Sequence, residues 1–173
     1  MQRLTNLLDG RGQTALLDSL MYSTSLFHNP EPGDAVYIIT DGGDNQSRST
    51  EREVERELLS KNIRLFSFVL SGYAFPTEEE LLGHSYIRHL TEVTGGVVID
   101  AGLSQYRGRG HVKQLSASLQ RTYDKIISFY ELEVELPRKL ETEHQWKLQV
   151  VDEFGKRRKD VEIEYAKTLP SCH

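Results

Sequence analysis

Short apolar runs alternate with longer amphipathic stretches through residues 14–128 of this chain. The apolar runs at 35–40, 64–70 and 97–100 have strand length, and the first runs without polar alternation. Such a run is typical of a parallel strand buried on both faces. Apolar residues recur at helical spacing over 14–27, 50–61, 78–94 and 111–128. Because a helix follows each of the first two strands, we predict βαβ units and a parallel sheet.

Helix boundaries and inward faces follow from the same pattern. Thr50 and Glu53 form a capping-box pattern, so the second helix is predicted to begin there. Thr14 stands before the first helix, where its hydroxyl can cap free backbone N–H groups. The residues predicted to face inward are Val54, Leu58 and Leu59 in the second helix and Leu81, Leu82, Ile87, Leu90 and Val93 in the third.

After residue 128 the pattern changes to strict alternation of apolar and polar residues. It covers 130–136, 146–150 and 161–165, and a turn is predicted at 152–156. Alternation with period two is typical of half-buried antiparallel strands. We therefore predict two regions, an α/β domain over 1–128 and an antiparallel β meander with a tail over 129–173.

Composition and charge exclude several classes of protein. The 173 residues carry a formal net charge of −5 with a pI near 5.7, which disfavours a nucleic-acid binder. No apolar segment approaches the roughly 20 residues needed to cross a bilayer. The N-terminus has no signal-peptide pattern, which by itself predicts a cytoplasmic protein. A single cysteine, Cys172, excludes an internal disulfide.

A cluster of polar residues follows the first predicted strand. Asp41, Asp44 and Asn45 offer oxygen ligands, and two glycines between them allow a tight turn. Ligands bind at the carboxyl edge of open α/β sheets, where the hydroxyl of Thr14 is also expected. Mg²⁺ prefers such oxygens, so a hard-cation site is one interpretation. The other is an ordinary strand-to-helix turn, because Asp, Gly and Asn dominate turns.

Motifs for other chemistries are absent from the sequence. No glycine-rich dinucleotide or phosphate loop is present, and there is no Gly-x-Ser-x-Gly elbow. The six histidines are scattered and are interpreted as surface residues. Glu78, Glu79 and Glu80 open a helix, where acidic residues complement its dipole. The sequence therefore favours a protein that is not an enzyme.

Four segments, 12–20, 36–45, 63–68 and 90–96, together resemble the second half of a von Willebrand factor type A domain, most closely the bacterial VWFA-related type. The resemblance implies a three-layer, Rossmann-like parallel sheet with a metal-ion-dependent adhesion site at its carboxyl edge. By position it implies Thr14 and Asp41 as ligands of Mg²⁺, Mn²⁺ or Ca²⁺. Asp44 and Asn45 are predicted to lie next to these ligands and to support them. An acidic residue of a protein partner would complete the site.

The chain departs from this family at its start. The family's first metal loop, Asp-x-Ser-x-Ser, has no counterpart, and only about a dozen residues precede Thr14. Either the chain is a fragment of a secreted or periplasmic protein whose N-terminal half carries the other ligands, or a short chain has lost metal binding. In both cases the strand at 36–40 loses its neighbours. We then expect an exposed sheet edge that pairs with another copy or a partner.

The sequence thus predicts a non-catalytic, adhesion-type interaction module with a partial or degenerate metal site. One alternative is a metal-independent oligomerisation domain. Another is a metal-dependent hydrolase or phosphotransferase that uses Asp41. That alternative needs a lysine or second carboxylate on a neighbouring strand end, and the sequence offers no convincing candidate.

Overall fold

The computed structural model describes residues 14–70, 77–101, 111–136, 140–142 and 144–169. The helices and strands follow one another in the order α1 (Leu16–Ser25), β1 (Ala35–Thr40), α2 (Glu51–Ser60), β2 (Arg64–Val69), α3 (Glu78–Val93), β3 (Val98–Asp100), α4 (His111–Ile127), β4 (His144–Gln145) and β5 (Thr168–Leu169).

Strands β1, β2 and β3 form a parallel sheet in chain order. Ala35 lies opposite Arg64 at one end of the first pair, and Thr40 lies opposite Val69 at the other. Helices α2 and α3 connect consecutive strands, so the predicted parallel connections are confirmed. The fold is mixed α/β, with a separate two-stranded antiparallel sheet. A Rossmann-like three-layer domain stays a prediction.

The core lies on the face of the sheet that is covered by α1, α2 and α3. Because side chains alternate along a strand, Leu65 and Val69 of β2 point to this face. They join a buried cluster completed by Leu16, Leu17, Leu20, Val54, Leu58, Ile63, Ile87 and Leu90. Phe66 and Phe68 point to the opposite face and are also buried. The central strand β2 is therefore buried on both sides.

Strand β1 does not have the burial predicted for it. Val36 and Ile38 pack against the core, but Tyr37 and Ile39 on the other face are 37% and 60% exposed. The reason is that β1 pairs only with β2 among the described residues, so it forms an edge of the sheet. The prediction of burial on both faces was wrong for β1, and it applies to β2.

The buried face of α3 also differs in part from its prediction. Ile87, Leu90 and Val93 are buried as expected, whereas Leu81 and Leu82 are exposed. The buried stripe runs through Gly83, Ile87 and Leu90, at spacings of three and four residues that keep side chains on one helical face. Positions 81 and 82 lie off that stripe.

Two glycines let backbones approach each other closely. A Cβ at Gly83 would lie 1.6 Å from the carbonyl oxygen of Gly42, and one at Gly96 would lie 1.7 Å from the carbonyl oxygen of Leu65. Neither distance is possible for a side chain, so only glycine fits at these positions. The first contact sets α3 directly against the turn that follows β1.

Arg64 connects the base of the sheet to the end of α4. Its Nη2 donates to the carbonyl oxygens of Gly33 and Ile126, each at 2.8 Å, and its Nη1 donates to that of Lys125. The guanidinium carbon also lies 5.0 Å from the ring centre of Phe129 and 5.3 Å from that of Phe66. This one side chain therefore fixes where the chain leaves the α/β region.

The predicted three-stranded meander is not formed. Residues 130–136 contain no strand, and in the described part of the chain antiparallel pairing is found only between β4 and β5 and in a bridge between Val151 and Arg157. Tyr130, Leu132 and Val134 are exposed, Tyr130 to 95%. Alternation provides an apolar face, but a strand also needs a paired neighbour and a surface to bury that face. In the described residues, 130–136 has neither.

The described helices include none that is both long and apolar enough to cross a membrane.

We expect Gly83→Ala to destabilise the protein by about 1–3 kcal/mol, because the added methyl group overlaps the carbonyl oxygen of Gly42. Gly43→Ala is the matched control, since a Cβ there would meet only the Oδ1 atom of Asp41 at 3.6 Å. Urea denaturation of both variants measures the difference. Equal stability of the two variants would show that α3 does not need this close approach.

Candidate functional site

The candidate site lies where β1 ends and α1 and α3 begin. We call residues 41–49 the acidic loop. It runs between the first turn of α1 and the N-terminal half of α3, and contacts both. Its conformation depends on Gly42, which is buried and has a φ of +90°. L-residues with a side chain rarely adopt that value, so glycine suits this turn.

The acidic loop caps α1. The N-cap residue, Ala15, has no side chain that can accept from the free N–H groups of the first turn. Instead, Asp44 Oδ2 accepts from the N–H of Leu17 at 3.4 Å, and Ser47 Oγ accepts from the N–H of Asp18 at 3.2 Å. The predicted capping of this helix by the Thr14 hydroxyl is therefore replaced by capping from a distant loop.

The helix in turn orders the loop. The carboxylate of Asp18 accepts from the backbone N–H of Arg48 at 3.1 Å and from that of Ser49 at 2.8 Å. A hydrogen bond from the Ser49 hydroxyl makes the largest contribution to lowering the pKa of Asp18 below its ordinary value. The two backbone bonds lower this pKa further. Helix and loop thus satisfy each other's free backbone donors.

Thr14 reaches the loop through its backbone. Its N–H donates to Asn45 Oδ1 at 2.9 Å, and its carbonyl oxygen accepts from the N–H groups of Asn45 and Gln46. The structure therefore brings two predicted site residues, Thr14 and Asn45, into direct contact. No hydrogen bond between Thr14 and Asp41 is found in the described residues.

Helix α3 holds the other side of the loop. His84 Nε2 lies 2.8 Å from the carbonyl oxygen of Asp41, and Asn45 Nδ2 donates to Glu79 Oε2 at 3.3 Å. The sequence interpretation treated His84 as a surface histidine and missed this contact. Its neighbour Gly83 was the available signal, because a glycine inside a helix indicates a close approach by another segment.

Four side-chain oxygens of Asp41, Asp44 and Asn45 accept hydrogen bonds from backbone N–H groups. Asp44 Oδ1 accepts from Ser47 N–H at 3.2 Å while its Oδ2 caps α1. Asn45 Oδ1 accepts from Thr14, and Asp41 Oδ1 accepts from Gly43 N–H at 3.2 Å. Among the described residues there is also no group of three or more His, Cys, Asp or Glu side chains arranged around a metal position. The metal role of Asp41 and Thr14 stays a prediction.

A second concave region lies near the other end of α3. This groove, of about 290 Å³, is lined by Glu55, His89, Val93, Gln145 and Thr168. His89 Nε2 lies 3.4 Å from Glu55 Oε2, so the pair joins α3 to α2. The groove is separate from the acidic loop, and the sequence interpretation assigned it no role.

Comparison with known proteins gives no family assignment. No protein-family model matches this chain, and no curated protein matches it. The resemblance to von Willebrand factor type A domains therefore rests on the four sequence segments alone.

The contribution of Asp18 to stability is expected to depend on pH. Because folding lowers its pKa, the contribution is present above the ordinary carboxyl pKa of about 4 and is lost as the pH falls through the lower folded value. The difference in unfolding free energy between wild type and Asp18→Asn should be largest near pH 7 and shrink below about pH 4. Urea denaturation at a series of pH values measures it. A difference that is constant from pH 7 to pH 3 would contradict the role of the ionised carboxylate.

Proposed function

We propose that this protein is a non-catalytic protein-interaction module that carries a degenerate metal site and binds through the edge of β1 to which none of the described strands is paired. The observation that carries the proposal is the contrast between two adjacent strands. Every side chain from Leu65 to Val69 in β2 is buried, whereas Tyr37 and Ile39 in β1 are exposed. An exposed apolar edge strand is a site for pairing with another chain.

The backbone of β1 supports the same proposal. The N–H of Arg64 donates to the carbonyl oxygen of Asp34 at 3.0 Å, and that of Leu70 donates to Thr40 at 2.8 Å. The even-numbered residues of β1 therefore direct their backbone groups toward β2. Because this direction alternates along a parallel strand, Ala35, Tyr37 and Ile39 direct their N–H and C=O groups away from the sheet. These groups provide the hydrogen bonds for a partner strand.

The acidic loop has a structural role in this proposal. Asp44, Ser47 and Asp18 join the loop to α1, and His84 joins it to α3. A cation bound through Asp44 would share the carboxylate oxygens that already accept from the N–H groups of Leu17 and Ser47. The family resemblance implies a different form of the function. In that form Asp41 and Thr14 hold Mg²⁺, and an acidic residue of the partner completes the coordination of the ion. Metal titration tests this alternative.

We expect weak or undetectable binding of Mg²⁺ and Mn²⁺, because a Mg²⁺ ion takes about six oxygen ligands and the family resemblance supplies only two, from Asp41 and Thr14. Isothermal titration calorimetry of wild type and Asp41→Ala measures the affinity. If wild type binds Mg²⁺ or Mn²⁺ tightly and Asp41→Ala does not, the proposal of a degenerate metal site is wrong. The metal-bridged form of the function is then favoured.

A free β1 edge should bind a strand-forming peptide. We expect a fluorescent peptide of residues 34–41, flanked by lysines for solubility, to raise its anisotropy on addition of the protein, because peptides add to exposed sheet edges through main-chain hydrogen bonds. The Ile39→Lys variant should bind it at least about tenfold more weakly, because a charged edge residue opposes pairing. Leu26→Lys is the matched control, since Leu26 on the surface next to α1 is 60% exposed, as Ile39 is. Failure of the wild type to bind the peptide would refute the proposed function.

A further inference from the structure

We propose that the partner at the β1 edge is a second copy of this chain, paired antiparallel about a two-fold axis through Tyr37. This inference rests on the proposed function and adds to it the identity of the partner and the register. It follows from which backbone groups of β1 point away from β2 and have no partner strand among the described residues, and from the side chains beside them.

The register follows from the direction of the backbone groups. The carbonyl oxygens of Asp34 and Thr40 accept from β2, so the even-numbered residues point toward that strand. The N–H and C=O groups that point outward therefore belong to Ala35, Tyr37 and Ile39. In an antiparallel pair, two directly opposite residues with facing groups exchange both hydrogen bonds. Only a register centred on Tyr37 sets all three outward residues opposite outward residues of the second copy. Ala35 then lies opposite Ile39, and Tyr37 lies opposite Tyr37.

The side chains of β1 suit this pairing. On one face Tyr37 meets its own copy, and Ile39 packs beside the small Ala35, so the most exposed apolar side chains of the strand become covered. Aromatic and β-branched cross-strand pairs are favourable. On the other face, Val36 lies opposite Ile38, and both already pack against the core of their own copy. The two β1 strands would then join the parallel sheets of both copies into one continuous sheet.

Strand β1 lacks three features that prevent edge pairing, namely charged side chains, proline and a β-bulge. Its sequence from Ala35 to Thr40 contains no lysine, no other charged residue and no proline. It also pairs with β2 in unbroken register over its whole length, without a bulge. Natural edge strands use these features to avoid association. Their absence favours pairing with an identical edge.

The size of the contact predicts a weak dimer. The strand contributes six residues from each copy, far fewer than the roughly 20–30 residues a side of a stable specific interface. We therefore expect a dimer that dissociates on dilution. Concentration-dependent association is then the property to measure.

Light scattering and sedimentation velocity of the full chain over a range of concentrations test the dimer. The wild-type average mass should rise toward that of a dimer, and Ile39→Lys should remain a monomer at the same concentrations. Leu26→Lys should behave as wild type. A wild type that stays monomeric, or an Ile39→Lys variant that associates as strongly as wild type, would overturn the proposal. Circular dichroism checks that each variant is folded.

A disulfide cross-link tests the register and does not depend on the Ile39→Lys variant. In a Cys172→Ser background, Tyr37→Cys should form a covalent dimer under oxidation, because directly opposite hydrogen-bonded residues are about 5.5 Å apart between Cα atoms, within disulfide range. Tyr22→Cys, at an exposed position on α1, is the control and should cross-link far more slowly. Equal cross-linking at both positions would refute the register.

The peptide experiment separates the two proposals. If the peptide of residues 34–41 binds while the chain itself stays monomeric, only the second copy as partner is refuted. If the peptide does not bind, the free edge is not a binding element and the proposed function fails as well.

Discussion

Burial of β2 on both faces is the constraint on which the rest of this structure depends. Leu65 and Val69 join the cluster beneath α1, α2 and α3, while Phe66 and Phe68 fill the opposite side. Removing apolar side chains from water is the main favourable contribution to folding, so a strand buried on both faces needs helices packed against it. The backbone of Leu65 is closely surrounded as a result. Its N–H donates to Thr94 Oγ1 at 3.0 Å, and its carbonyl oxygen leaves no room for a Cβ at Gly96. β1 is also largely apolar, but among the described strands it has one neighbour where β2 has two, and its exposed edge follows from that difference.

The acidic loop illustrates how the same residue types serve two purposes. Asp, Asn and Ser oxygens at a carboxyl sheet edge are suitable for a cation, and they are equally suitable for the free N–H groups at the start of a helix. In this chain they accept hydrogen bonds from those N–H groups. Asp44 and Ser47 cap α1, and Asp18 caps the loop in return. A loop that resembles a metal site in sequence is thereby used to join α1 to β1, and the interaction surface that we propose lies on the strand beside it.

Much of the local structure could be predicted because local rules determine it. The capping box of Thr50 and Glu53 starts α2 as expected, and the buried positions Val54, Leu58 and Leu59 follow its helical period. The parallel connections followed from alternation of strands and helices. The alternation at 130–136 failed as a predictor because a strand requires a partner, and the pattern of one segment does not specify whether a partner is available.

The sequence by itself determined the helices and parallel strands of the α/β region, their order and the residues of the acidic loop. Only the tertiary structure decided how those residues are used, because hydrogen bonds such as that of Asp44 to Leu17, 27 positions apart, join segments distant in the chain. It also decided which apolar strand is central and which is the edge. That distinction depends on the number of neighbouring strands, and β1 and β2 have the same apolar character in sequence.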